Sequence, residues 1–273
     1  GVGGIVTSTV GKGTIAGLRH IVGLAARAGF QHTLSLGIDH KDFKEDVHIQ
    51  GGDTLNTPIR YWPLSLAYNV TLPSANGTTT ASLTANFSLL SLSAKEIDCF
   101  GQVLDQFECK RPGAKPNYFY VRGDVQRTQN ISGGFTVVGR AGLQWTADPL
   151  ISNEQYTAGG LQSVRGYLES ERFGDSGWQG SLELRTPSYT AGKSVKSAID
   201  VYGLGFVEGA GMYLLEPLVD QESSFSLLST GIGLRFAAGR WLNAELHWAK
   251  ALRAGSITLD GDQRVHFRME ATF

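Results

Sequence analysis

The sequence predicts an all-β fold, an antiparallel transmembrane β-barrel, and three observations lead there. Apolar and polar residues alternate at a period of two, in segments of about ten residues. The polar members of several segments are charged, which suits neither lipid nor a dry core and points to a water-lined face. Connections between segments are alternately short and long, as expected when turns lie on one side of a membrane and loops on the other.

Taken in chain order, candidate strands cover residues 12–24, 30–42, 58–72, 78–92 and 117–128. Next, Phe135, Val137, Gly139, Ala141, Leu143 and Trp145 oppose Thr136, Arg140, Gln144 and Thr146. Trp178, Gly180, Leu182 and Leu184 oppose Gln179, Ser181, Glu183 and Arg185, and a further strand covers 198–213. Leu228, Thr230, Ile232, Leu234 and Phe236 oppose the lumen-side motif Gly231, Gly233 and Arg235. In the last two segments Leu242, Ala244, Leu246 and Trp248 oppose Asn243, Glu245 and His247, and Val265, Phe267, Met269, Ala271 and Phe273 oppose Arg264, His266, Arg268, Glu270 and Thr272. About eleven strands result, an odd number where single-chain bacterial barrels have even ones. Either residues 1–10 add a twelfth, or the chain is the C-terminal portion of a larger barrel.

Short turns are expected near Ala25–Gly29, Pro73–Gly77, Asn130–Gly134 and Ala237–Arg240, with an intermediate connection at Pro187–Lys196. Long loops are expected near 44–56, 94–115, 148–177, 214–224 and 253–261. A soluble β-sandwich would share the alternation but not the charged faces or the two-sided loop asymmetry.

Composition narrows function. No stretch approaches the roughly 20 apolar residues of a spanning helix. The net charge of −1, with a pI near 6.7, supplies no basic field for nucleic acid. CxxC, HExxH and GxSxG motifs are all missing, and the 6 His residues are scattered, so no metal, cofactor or catalytic residue is expected and the chain does not read as an enzyme. Cys99 and Cys109 share one long loop, where an oxidising envelope permits a stapling disulfide. His247 and His266 read as lumen-facing polar groups. The opening residues GVGGIVTSTV have no basic n-region or hydrophobic segment of a signal peptide, so the true N-terminus is expected to lie upstream.

The segment YTAGGLQSVRGYLESERFGDSGWQGSLELRTP at 156–187 resembles the most diagnostic stretch of the two-partner secretion transporters, the TpsB or haemolysin secretion/activation proteins. FQHTLSLGIDHKDF at 30–43 resembles their mid-barrel strand, GFVEGAG at 205–211 their Phe-x-Asp-x-Gly strand motif, and GIGLRF at 231–236 the strand after it. Phe273 matches the terminal signal read by barrel-assembly machinery. The resemblance runs from about residue 11 to the end.

It implies a sixteen-stranded Gram-negative outer-membrane barrel behind two periplasmic POTRA domains, with this chain, residues 1–273, supplying barrel strands only. It also implies that the loop carrying Val164, Arg165, Gly166 and Tyr167 folds back into the pore. There Arg165 would pair with Glu208 of the strand motif Phe206, Glu208 and Gly209. Glu208 stands where the family usually has Asp, which keeps the charge and lengthens the arm. The partners so implied are a secreted exoprotein, outer-membrane lipids and, during biogenesis, the assembly machinery. Rival readings are a barrel of the same superfamily that inserts other outer-membrane proteins, or a passive porin.

Overall fold

A computed structural model of the chain describes residues 7–25, 29–49, 54–56, 58–99, 101–191, 199–219 and 221–272. Among the described residues, eleven strands form the main path of the sheet, running up and down in chain order with each pairing antiparallel with its sequence neighbours. They are β1 (Thr7–Gly23), β2 (Gln31–Ile49), β3 (Pro63–Ser74), β4 (Gly77–Ser88), β5 (Phe119–Asn130) and β6 (Thr136–Thr146). They continue as β7 (Ser176–Arg185), β8 (Ile199–Tyr213), β9 (Ser224–Ala238), β10 (Leu242–Ala251) and β11 (Gln263–Ala271). Among the described residues, β1 and β11 do not pair, so the sheet is an open wall.

Residues 7–10 continue β1, which removes them from any separate twelfth strand. The strand expected over 78–92 stops at Ser88, because Leu90–Ser93 turns into a short helix. The loop expected from residue 44 begins later, since β2 continues to Ile49 and Thr54–Asn56 pairs back onto it. Phe273 lies outside the described residues.

Burial along β10 is the reverse of a soluble protein's. In β10, His247 and Ala249 are fully buried and Glu245 nearly so, while Leu246 and Trp248 on the opposite face are exposed. Leu182, Ile232, Leu234, Val265, Phe267 and Met269 extend this exposed apolar face across the neighbouring strands. A continuous apolar exterior over a charged interior needs lipid outside and a polar lumen inside. Buried apolar side chains gather instead beneath the long loops: Ile59, Tyr61, Phe107, Ala114, Tyr118, Tyr120, Leu150 and Ile151 form one cluster.

These loops carry structure of their own. The 89–118 connection contains a hairpin, Glu96–Cys99 with Gln102–Asp105, and a helix at Gln106–Lys110, and Cys99 and Cys109 are disulfide-bonded. Between β6 and β7 the chain forms a hairpin, Tyr156–Ala158 with Arg172–Gly174. Its tip, residues 159–171, folds against the inner faces of β7 to β11, where Arg165 meets Glu208 and Gly166 meets His266.

Candidate functional site

The loop tip turns at Gly166, whose φ of +97° is open to glycine and strained for other residues. The backbone conformation, not space, sets this preference, since a Cβ there would meet the Ala249 methyl at an ordinary contact distance of 3.4 Å. Val164 and Tyr167 on either side are fully buried, in a cluster with Tyr156, Ala158, Ala210, Met212, Leu227 and Ala251. The Tyr167 hydroxyl lies 2.8 Å from the carbonyl oxygens of Leu228 and of Arg253, and it accepts from Leu228 N at 3.2 Å.

These contacts aim Arg165 at the wall. Its backbone N–H donates to Glu208 Oε2 at 2.8 Å, Nε donates to Glu208 Oε1 at 3.0 Å, and Nη2 donates to Oε1 at 2.5 Å. Nη2 also donates to Glu183 Oε2 at 3.1 Å, and Nη1 faces His247 Nδ1 at 3.0 Å. The guanidinium carbon lies 3.4 Å from the Phe206 ring centroid, a cation–π contact out of bulk water. Arg165, Glu208 and Glu183 are each 3 % exposed or less. Two carboxylates around one guanidinium would leave excess negative charge, but Arg185 Nε also donates to Glu183, at 2.7 Å. Charge is thus matched locally, as burial requires.

Strand register accounts for the surrounding residues. Glu183, Phe206, Gly231 and Ala249 follow one another on a single rung across β7 to β10. A Cβ at Gly231 would lie 2.5 Å from Phe206 Cζ and 2.2 Å from the Trp248 carbonyl oxygen, so only glycine leaves room for the ring that floors Arg165. Gly233 likewise underlies His247, since a Cβ there would lie 2.4 Å from its Nδ1. Arg235 stands apart from the loop tip: it pairs with Glu245 at 3.2 Å, and Glu245 also meets Arg268 at 2.8 Å. Gly209 falls on the other face of β8 from Glu208, against Leu227 O and Leu228, and takes no part in the cluster.

The stem of the loop has three further carboxylate anchors, none of which stands out in the sequence. Glu154 receives Lys41 and Tyr61, each at 2.5 Å, and Tyr120 at 2.8 Å. Asp175, fully buried, pairs with Arg111 and accepts from Leu150 N at 2.9 Å and Leu215 N at 2.7 Å. Arg111 directly follows the disulfide-bonded helix, so the stapled loop and the stem share one ion pair. Glu171 accepts from Leu168 N, Ile257 N, Thr258 N and Thr258 Oγ1 at 2.6–3.0 Å, tying the stem to the connection between β10 and β11. Burial works to raise the Glu171 carboxyl, but the donors of Thr258, Ile257 and Leu168 outweigh it and hold the group at about 2.

The sequence profile of the haemolysin secretion/activation proteins ShlB/FhaC/HecB matches residues 60–210, more than half of the chain and the part that holds both Arg165 and Glu208. The chain belongs to this family. As a family member it is a β-barrel protein of the Gram-negative outer membrane. No curated protein sequence matches it. Among solved structures, CdiB from Escherichia coli superposes with a TM-score of 0.71 at 18% identity, over 98% of this chain and 46% of that one. CdiB from Acinetobacter baumannii gives a TM-score of 0.65 at 14% identity, over 98% and 43%. BamA from Haemophilus ducreyi lacking POTRA domains 1–3 gives 0.61 at 14% identity, over 95% and 55%. The chain therefore spans about half the length of the solved structures it resembles, and at these identities the likeness is one of fold.

Proposed function

We propose that this chain forms the C-terminal wall of an outer-membrane pore that passes a partner polypeptide, a haemolysin- or adhesin-like exoprotein, to the cell surface by two-partner secretion. The 148–175 loop is its resident plug. The observation that carries the reading is Arg165, held against the inner wall between Glu208 and Glu183 inside a family whose description is secretion and activation. A loop fixed there by ion pairs, with Val164 and Tyr167 packed beside them, narrows the lumen at rest, and the ion pairs can be resolvated by lumenal water when it leaves. Residues 1–273 are read as one barrel domain. Lipid contacts the apolar exterior, and Phe273 addresses the chain to the barrel-assembly machinery.

The likeness to BamA supports a second reading, insertion of other barrels into the outer membrane. Secretion of a cognate exoprotein, measured at matched outer-membrane levels of wild type and Arg165→Ala, separates the two. Export is expected to fall strongly in the variant, because the pinned loop is also a strut that braces the inner wall, while other outer-membrane proteins assemble normally. Unchanged export together with a general assembly defect would favour insertion.

A further inference from the structure

We infer that His247 and His266 are positioning residues that seat the loop tip through their neutral imidazoles, and that protonating them unseats it. The inference rests on the plug reading above.

The two histidines are direct cross-strand partners on β10 and β11, facing the lumen side by side. They meet two consecutive residues of the loop. Arg165 Nη1 lies 3.0 Å from His247 Nδ1, and the Gly166 backbone N–H donates to His266 Nε2 at 2.9 Å. A guanidinium and a peptide N–H can only donate, so both imidazole nitrogens must present lone pairs. This fixes the tautomers. His247 carries its proton on Nε2, which faces Glu245 Oε2 at 3.3 Å, and His266 carries its proton on Nδ1.

Each imidazole that takes a proton from water loses the lone pair that holds the loop. The Gly166 N–H would then face an N–H, and the Arg165 guanidinium would face a second cation. The charged groups around His247 are Arg165 from the loop, Glu245 from its own strand and Arg235 from β9. Those around His266 are Glu169 from the loop, Arg264 from its own strand, His247 and Arg165. Glu245 is already engaged by Arg235 and Arg268. With both imidazoles charged, three cations would meet at the loop tip, and release of the loop into lumenal water relieves them.

The test is conductance of the full-length transporter in planar bilayers, titrated from about pH 7.5 to about pH 5, across the usual range of imidazole. Open probability should rise as pH falls, by up to about tenfold per pH unit for each histidine that couples to seating. His247→Asn and His266→Gln place an amide oxygen near the lost lone pair and do not titrate, so the double variant should stay closed with a flat pH profile. His266→Phe, which cannot accept, should open at neutral pH, and His266→Gln should restore closure. Heat-modifiable gel mobility checks that each barrel is folded. A flat wild-type profile, a double variant that keeps the wild-type profile, or a closed His266→Phe would each overturn the inference. Arg165→Ala at neutral pH separates the two levels of the account: if it also fails to open, the plug itself is wrong, whereas if it opens, only the histidine role falls.

Discussion

Two arginine–carboxylate forks lie on the inner face of the same sheet with the same chemistry and opposite surroundings. Arg19 on β1 meets Asp39 on β2 at 2.8 and 2.7 Å, with side chains 41% and 17% exposed. Arg165 meets Glu208 at 2.5 and 3.0 Å, with both side chains 3% exposed. Distance therefore does not distinguish them. The first pair joins neighbouring strands already aligned by an antiparallel register that runs from Thr7↔Ile49 to Gly23↔Thr33, and water competes for both of its ends. The second joins a loop to the wall in a desolvated pocket, with Phe206 beneath the guanidinium and Glu183 beside it. The difference teaches that a fork becomes a determinant of structure when burial removes the alternative of water.

Arg165→Ala should have the largest effect, because it strands Glu208 in the wall. Removing one partner of a buried pair costs about 3–5 kcal/mol, less where lumen water reaches the orphan. Loop amides over 159–171 should then exchange with deuterium far faster, as read by mass spectrometry of the full-length protein. Arg111→Ala should follow, at about 2–3 kcal/mol, since Asp175 keeps its backbone donors but loses its cation. Its faster exchange should be confined to the stem near Leu150 and Leu215, leaving the tip protected.

Glu171→Gln sharpens the comparison through pH. The folded carboxyl lies at about 2 against an ordinary value of 4.5, so its contribution is fully present above the ordinary value and is lost as pH falls through about 2. That contribution is on the order of 2–3 kcal/mol. Protease nicking of the 252–262 connection should be faster in Glu171→Gln at neutral pH, and the two proteins should converge as pH falls from about 4.5 toward 2. Arg19→Ala should have the smallest effect, under about 1 kcal/mol in urea unfolding of the refolded barrel, despite its equally good geometry.

Much of the wall was legible because alternation at period two is a local property. Eleven strands and the polarity of their faces follow from segments such as 242–248 and 264–272 read alone. The Arg165 and Glu208 pairing was legible only through family resemblance, since nothing in either segment names a partner 43 residues away. Glu183 was visible as a lumen-side residue, but its contact with Arg165 depends on the loop folding back. The anchors Glu154, Asp175 and Glu171 lie among ordinary loop residues, and their partners Lys41, Arg111 and Thr258 are 113, 64 and 87 residues distant. The acceptor role of the two histidines likewise depends on the β10–β11 register, which fixes them as cross-strand neighbours. Register and loop docking are global outcomes, and a pattern of residue types does not encode them locally.

Burial couples Arg165 to Glu208, while exposure leaves Arg19 and Asp39 nearly independent. A pair of double-mutant cycles on unfolding free energy, with both alanine singles and the double at each fork, measures this difference most directly. The expected coupling is roughly 1.5–3 kcal/mol at Arg165 and Glu208 and below about 0.5 kcal/mol at Arg19 and Asp39. Additive losses at Arg165 and Glu208, or equal couplings at the two forks, would contradict it.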